Sequence, residues 1–180
     1  MRRTVVFGAL CVLCANARAD VAHDVFDRPL AELAPRGTPV LELYSDKQTK
    51  VELATSAPQM AYDNRDWRFV TVVYIDLSGV PGLFHGYAKG KIRAGWTRTI
   101  EHIRTLFRMR GDAPPGDLER DVAFVADSDG ARREAAGLPR DFGQALAIVR
   151  DGEGREVARG VFPRDRARVE EVLRSVARQR

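Results

Sequence analysis

An α/β fold, with a mixed and mostly parallel central sheet flanked by helices and closed by a C-terminal β-hairpin and helix, is what this sequence predicts. Three observations lead there. Short β-branched and aromatic runs alternate with segments of helical period, which calls for parallel strands joined by right-handed crossovers. Two late apolar runs are separated by a glycine-containing turn, the mark of a hairpin. The chain then ends on one amphipathic stripe, Val169, Val172, Leu173 and Val176, at helical spacing.

The elements follow in order. Residues 1–19 have the three parts of a cleavable secretion signal: Arg2 and Arg3, an apolar run from Thr4 to Cys14, and the small-residue exit Ala17-Arg18-Ala19. The run is well short of the roughly 20 apolar residues that span a bilayer, so no membrane span is expected after cleavage behind Ala19. Residues 20–37 are polar and proline-broken and read as an N-terminal arm, leaving 38–180 as one domain. Pro39-Val-Leu-Glu-Leu-Tyr44 is the first strand. A helix starting near Asp46 runs toward Met60, where Pro58 is expected to end or kink it. Arg68 to Asp76 is apolar on both faces, as a strand in the middle of a covered sheet must be.

The stretch from Ser78 to Gly95 carries five glycines and a proline and reads as a loop. Trp96, Ile100, Ile103, Leu106 and Phe107 then mark a helix up to Gly111. Asp121 to Asp127 is another buried strand, followed by a short helix from Gly130 to Ala136. The hairpin comprises Ala145–Val149, the turn Asp151-Gly-Glu-Gly154, and Arg155–Val161. The last helix spans Arg164–Arg178.

Charge and cysteine content exclude several functions. Removing residues 1–19 takes away three arginines and no acid, so that 29 basic residues against 25 acidic become 26 against 25. A nearly neutral domain lacks the basic footprint of a nucleic-acid binder. Both cysteines, Cys11 and Cys14, lie inside the signal, so the secreted chain contains no thiol. His23, His85 and His102 have no metal-ligand spacing, and no metal or cofactor is expected.

The stretches "FVADSDGARREAAGLP" and "ALAIVRDGEGREVARGVF", set in this element order, resemble the thioredoxin-like superfamily, in particular its periplasmic and peroxiredoxin-like branches. The resemblance spans about residues 37–178. It implies a cysteine pair at the end of the first central strand, where a helix N-terminus stabilises a thiolate, and a cis-proline just before the first hairpin strand. Here Thr49 and Glu52 fall where the cysteines would be, and Gly143, Gln144 and Ala145 occupy the proline's neighbourhood. Disulfide exchange and peroxide reduction are therefore disfavoured by chemistry.

A binding role for a protein or a small ligand, in the periplasm, is the expectation that remains. Ligands of open α/β sheets bind outside the carboxyl ends of the strands, which selects Ser45, Asp46, Gln48, Thr49, Glu52, Asp76 and Gln144 as a candidate pocket at the former redox site. Helix capping and strand-ending turns are the plain alternative for these polar residues. A second candidate is the loop carrying Lys89, Lys91, Arg93 and Trp96, where cations, aromatics and glycines together suit an anion or a partner surface. The alternative enzymatic reading takes Asp127 as nucleophile and Asp129 as acid, resembling the haloacid-dehalogenase-type phosphatases, which use a metal.

Overall fold

The computed structural model describes residues 22–45, 49–140 and 142–179. Residues 1–19, read above as a secretion signal, lie outside them. Five strands form the central sheet: β1 (Val40–Ser45), β3 (Val70–Asp76), β4 (Val122–Asp127), β5 (Ala145–Arg150) and β6 (Glu156–Phe162), in the order β4-β3-β1-β5-β6. β1, β3 and β4 are parallel, with Val40 opposite Val70 and Asp76 opposite Asp127; β5 runs antiparallel to β1 and to β6. A two-residue ribbon, β2 (Trp67–Arg68) with β7 (Arg178–Gln179), ties the C-terminus to the sheet's entry side. Short helices α1 (Leu30–Leu33), α4 (Leu118–Asp121) and α5 (Ala131–Ala135) and longer ones α2 (Lys50–Asp63), α3 (His85–Met109) and α6 (Arg166–Val176) cover both faces.

The two-residue period of the strands divides the core. Leu41, Leu43, Val73, Ala147 and Val149 pack under α2 and α6 with Met60, Val169 and Leu173. Tyr44, Val72, Tyr74, Val125 and Ile148 form the opposite layer with Leu33 and Ala136. A third cluster, in which Tyr62 of α2 meets Ile100, Ile103 and Phe107 of α3 over Val122, joins the two long helices to the β4 edge.

Two expectations are corrected. Of the two outcomes expected at Pro58, an end or a kink, the first does not occur: α2 continues to Asp63. A proline inside a helix forfeits one hydrogen bond and costs about 3 kcal/mol. Beyond it, however, Met60 and Tyr62 are buried, and Asn64 closes the last turn through bonds from its backbone and side-chain nitrogens to the Met60 carbonyl. Tertiary burial offsets the local cost. The glycine-rich stretch, likewise, is not a loop as far as Gly95: α3 begins at His85 and includes Gly86, Gly90 and Gly95. Each mid-helix glycine costs about 1 kcal/mol relative to alanine, but Ile92 of the same segment is buried against Val25 and Leu77, and that packing decides.

That packing comes from the N-terminal segment. Val25 is fully buried and its N–H donates to the Phe124 carbonyl at 2.8 Å, so residues 22–28 lie across the β4 edge. The Asp24 carboxylate accepts from the N–H groups of Phe26 and Arg28, both at 2.9 Å, and folds the segment into a compact turn. No helix among the described residues is long and apolar enough to cross a membrane.

Candidate functional site

The position at which the sequence resemblance places a cysteine pair is a helix start. β1 ends at Ser45, Thr49 is the N-terminal capping residue of α2, and the backbone of Glu52 lies in the first turn. Thr49 and Ser45 are both buried. Asp46 and Gln48 lie outside the described residues, as does the side chain of Glu52. On the facing segment Gln144 is exposed, and among the described residues the cis peptide lies at Phe162–Pro163, after β6, rather than before β5.

Beside this helix start, a cavity of about 820 Å³ opens between α2, α3 and the sheet. Its floor is Val73 and Ile75 of β3 with Phe124 of β4. Its α2 wall is short: Leu53 is followed by Ala54, Ala57 and Ala61, alanines one turn apart where bulkier side chains would fill the gap. At the carboxyl end of the strands the lining turns polar, with Ser45, Asp76, Ser78 and Arg140; Lys91, Arg98 and His102 contribute from α3. Ser45 and Asp76 are thus brought to one cavity. Gln144 is not part of it. The alanine spacing in α2 was the signal in the sequence that could have located the cavity.

Asp76 is held by a residue that sequence reasoning missed. Arg133, on α5, is buried; its Nε lies 3.1 Å from Asp76 Oδ2, a charge contact rather than an aligned hydrogen bond, and its Nη1 donates to the Leu138 carbonyl at 2.9 Å. Asp76 Oδ1 accepts from the Ser78 N–H at 2.8 Å. The turn leading to Arg133 is tight: Gly130 has φ +79°, and a Cβ there would stand 2.8 Å from Arg133 Nη2. An arginine pair just after a strand-ending aspartate, Arg132-Arg133, was the only trace of this network in the sequence.

Asp127, opposite Asp76 across the parallel pair, is only 4% exposed, and burial pushes its carboxyl above the usual range. Its oxygens accept the N–H groups of Arg132 and Arg133 at 3.2 and 2.9 Å, while Asp129 accepts from the Ala131 N–H at 3.0 Å. Both acids thus cap α5, and the geometry lends no support to a nucleophile-and-acid pair. No cluster of His, Cys, Asp and Glu suited to a metal occurs among the described residues.

The second candidate divides. Lys89 Nζ contacts Asp27 at 2.7 Å and Arg93 Nη2 contacts it at 3.3 Å, while Arg93 Nε donates to the Val25 carbonyl. The Lys89 ammonium, foremost, holds the Asp27 carboxyl below its ordinary value. Phe26 stands edge-on to Trp96, with ring centroids 4.8 Å apart, and Trp96 Nε1 donates to the Val122 carbonyl at 2.9 Å. Lys89, Arg93 and Trp96 therefore bind this chain's own N-terminal segment from a helix, not a loop. Lys91, exposed and 5.2 Å from the Tyr87 ring centroid, instead reaches the cavity.

No family model matches the chain, and no curated protein matches its sequence. Solved structures do match its architecture. A secreted Mycobacterium tuberculosis disulfide oxidoreductase homologous to E. coli DsbE superposes with a TM-score of 0.51 at 11% identity, over 86% of this chain and 93% of that one. A protein assigned as the thiol:disulfide interchange protein DsbE of Chlorobium tepidum superposes with a TM-score of 0.54 at 13% identity, over 86% and 90%. With the strand order, the hairpin and the terminal helix, these likenesses settle the architecture, and the chain has the thioredoxin-like fold.

Proposed function

We propose that this protein is a secreted, cysteine-free thioredoxin-like binding module, which takes a ligand into the cavity beside the old redox position and performs no thiol chemistry. The observation that carries the reading is the pairing of a non-thiol residue, Thr49, at the α2 start with an 820 Å³ apolar cavity next to it. A volume of that size lies within the range of small-molecule sites, about 300–1,000 Å³. Disulfide exchange needs a thiolate as attacking group, and the sequence has no cysteine after Cys14. The charged start, apolar run and small-residue exit of residues 1–19 support export to the periplasm, with residues 20–37 as an arm and 38–180 as the domain.

Two measurements test this together. Insulin-disulfide reduction with dithiothreitol is expected at the uncatalysed rate. The neutral apolar fluorophore N-phenyl-1-naphthylamine is expected to bind once per chain and to be displaced by Ala57→Phe, which fills the α2 wall. Catalysed insulin reduction, or fluorophore binding untouched by Ala57→Phe in a folded variant, would overturn the reading.

A further inference from the structure

The cavity's interior and its rim differ in kind, and the difference specifies a ligand. The floor and α2 wall are aliphatic and aromatic: Leu53, Val73, Ile75, Ile103 and Phe124 with the alanines of α2. Such a surface desolvates a hydrocarbon chain and, Thr71 of the β3 floor aside, offers nothing to a polar one. The rim carries Lys91, Arg98 and Arg140, none of which forms an ion pair with a carboxylate among the described residues. Asp76, the acid of the lining, already faces Arg133 and the Ser78 N–H. Among the described lining residues the mouth is therefore net cationic.

The backbone of Ser78 anchors one of these cations. Its Oγ is enclosed, with no surface open to the cavity, and its Cβ packs toward the Gly130 turn. The carbonyl of the same residue accepts from Arg140 Nη2 at 3.2 Å, which places the Arg140 guanidinium beside it. Lys91 lines the same cavity from α3, and Arg98 follows it two helical turns further on the same face.

From these features we infer that the occupant is a single-chain amphipathic carboxylate, a long-chain fatty acid, with its hydrocarbon tail between α2, α3 and the sheet and its headgroup at Lys91 and Arg140. The inference rests on the cavity-binding reading above and adds the ligand's class. The carboxylate is held by two cations, and the tail occupies the space that Ala54, Ala57 and Ala61 leave open. A protein partner fits less well, because the apolar surface lies inside a cavity rather than on an exposed face.

Isothermal titration calorimetry with dodecanoate, below its micelle concentration, tests the assignment against dodecanol and dodecyltrimethylammonium of equal chain length. Dodecanoate is expected to bind at one site, at least tenfold tighter than dodecanol, with the cationic amphiphile weakest. Arg98→Gln should weaken dodecanoate about two- to fivefold, the size of one exposed charge contribution, and Lys91→Gln/Arg140→Gln about tenfold or more. None of these should change dodecanol binding. These rim variants leave the core untouched, so their readout does not depend on a cavity-filling substitution that fails to fold. Equal affinity for dodecanoate and dodecanol, or dodecanoate binding indifferent to Lys91 and Arg140, overturns the fatty-acid assignment. If N-phenyl-1-naphthylamine still binds in an Ala57→Phe-sensitive manner, the cavity reading survives that result; if it does not, both fall.

Discussion

Replacing Arg133 with methionine isolates the charge network under the candidate site. Methionine keeps the aliphatic stem and its packing but deletes the guanidinium. The Arg133 and Asp76 side chains are 7% and 10% exposed, so solvent cannot replace the lost cation beside the carboxylate. Removing one partner of a buried pair costs about 3–5 kcal/mol, because the other charge remains desolvated. Asp76 retains the Ser78 N–H, which argues for the lower part of that range. The Leu138 carbonyl loses its 2.9 Å donor as well. The contact to Glu134, whose side chain is 71% exposed, adds nothing appreciable. A net loss of about 3–4 kcal/mol corresponds to a fall in Tm of roughly 6–16 °C for a chain of this length, at about 2–4 °C per kcal/mol.

Urea unfolding followed by far-ultraviolet circular dichroism, with calorimetry for Tm, gives the number. The double variant Arg133→Met/Asp76→Asn completes a cycle in which the amide still accepts the Ser78 N–H without a charge. Its cost should fall at least about 1 kcal/mol below the sum of the two single variants. A loss under about 1 kcal/mol for Arg133→Met, or strict additivity in the cycle, would refute the claim that Asp76 depends on this arginine.

Gly86→Ala and Gly90→Ala should each stabilise the protein by about 0.5–1 kcal/mol in the same urea assay, since both lie in α3 and a Cβ at either meets nothing within 4 Å; destabilisation would show that α3 does not begin at His85. Tyr44 and Tyr74 stack with centroids 4.9 Å apart, and burial, foremost, with the Glu42 charge behind it, pushes both phenols well above their ordinary value. Each contributes stability that is fully present below the unfolded phenol's pKa of about 10 and is lost as pH rises above it, by up to about 1.4 kcal/mol per pH unit per tyrosine. Tyr74→Phe should therefore halve the alkaline slope contributed by this pair between pH 10 and 11, measured as the urea midpoint against pH, and an unchanged slope would contradict the burial argument.

What the sequence determined by itself is the order and character of the elements. Strands such as Val70–Asp76 are apolar on both faces whatever they pack against, and the hairpin turn between Asp151 and Gly154 fixes its own conformation through local bonds from the Glu153 and Arg155 N–H groups to the Asp151 carboxylate. The absence of cysteine after Cys14 was equally legible. Only the tertiary structure decided that Pro58 stays within a helix, that the glycines of α3 are helical, and that Lys89 and Arg93 belong to Asp27 while Lys91 belongs to a cavity. Those outcomes depend on contacts between residues far apart in the chain, such as Val25 with Phe124 and Asp76 with Arg133. Local propensities are worth about 1 kcal/mol per residue, and burial of a single large side chain, at about 1.5–3 kcal/mol, is enough to override them.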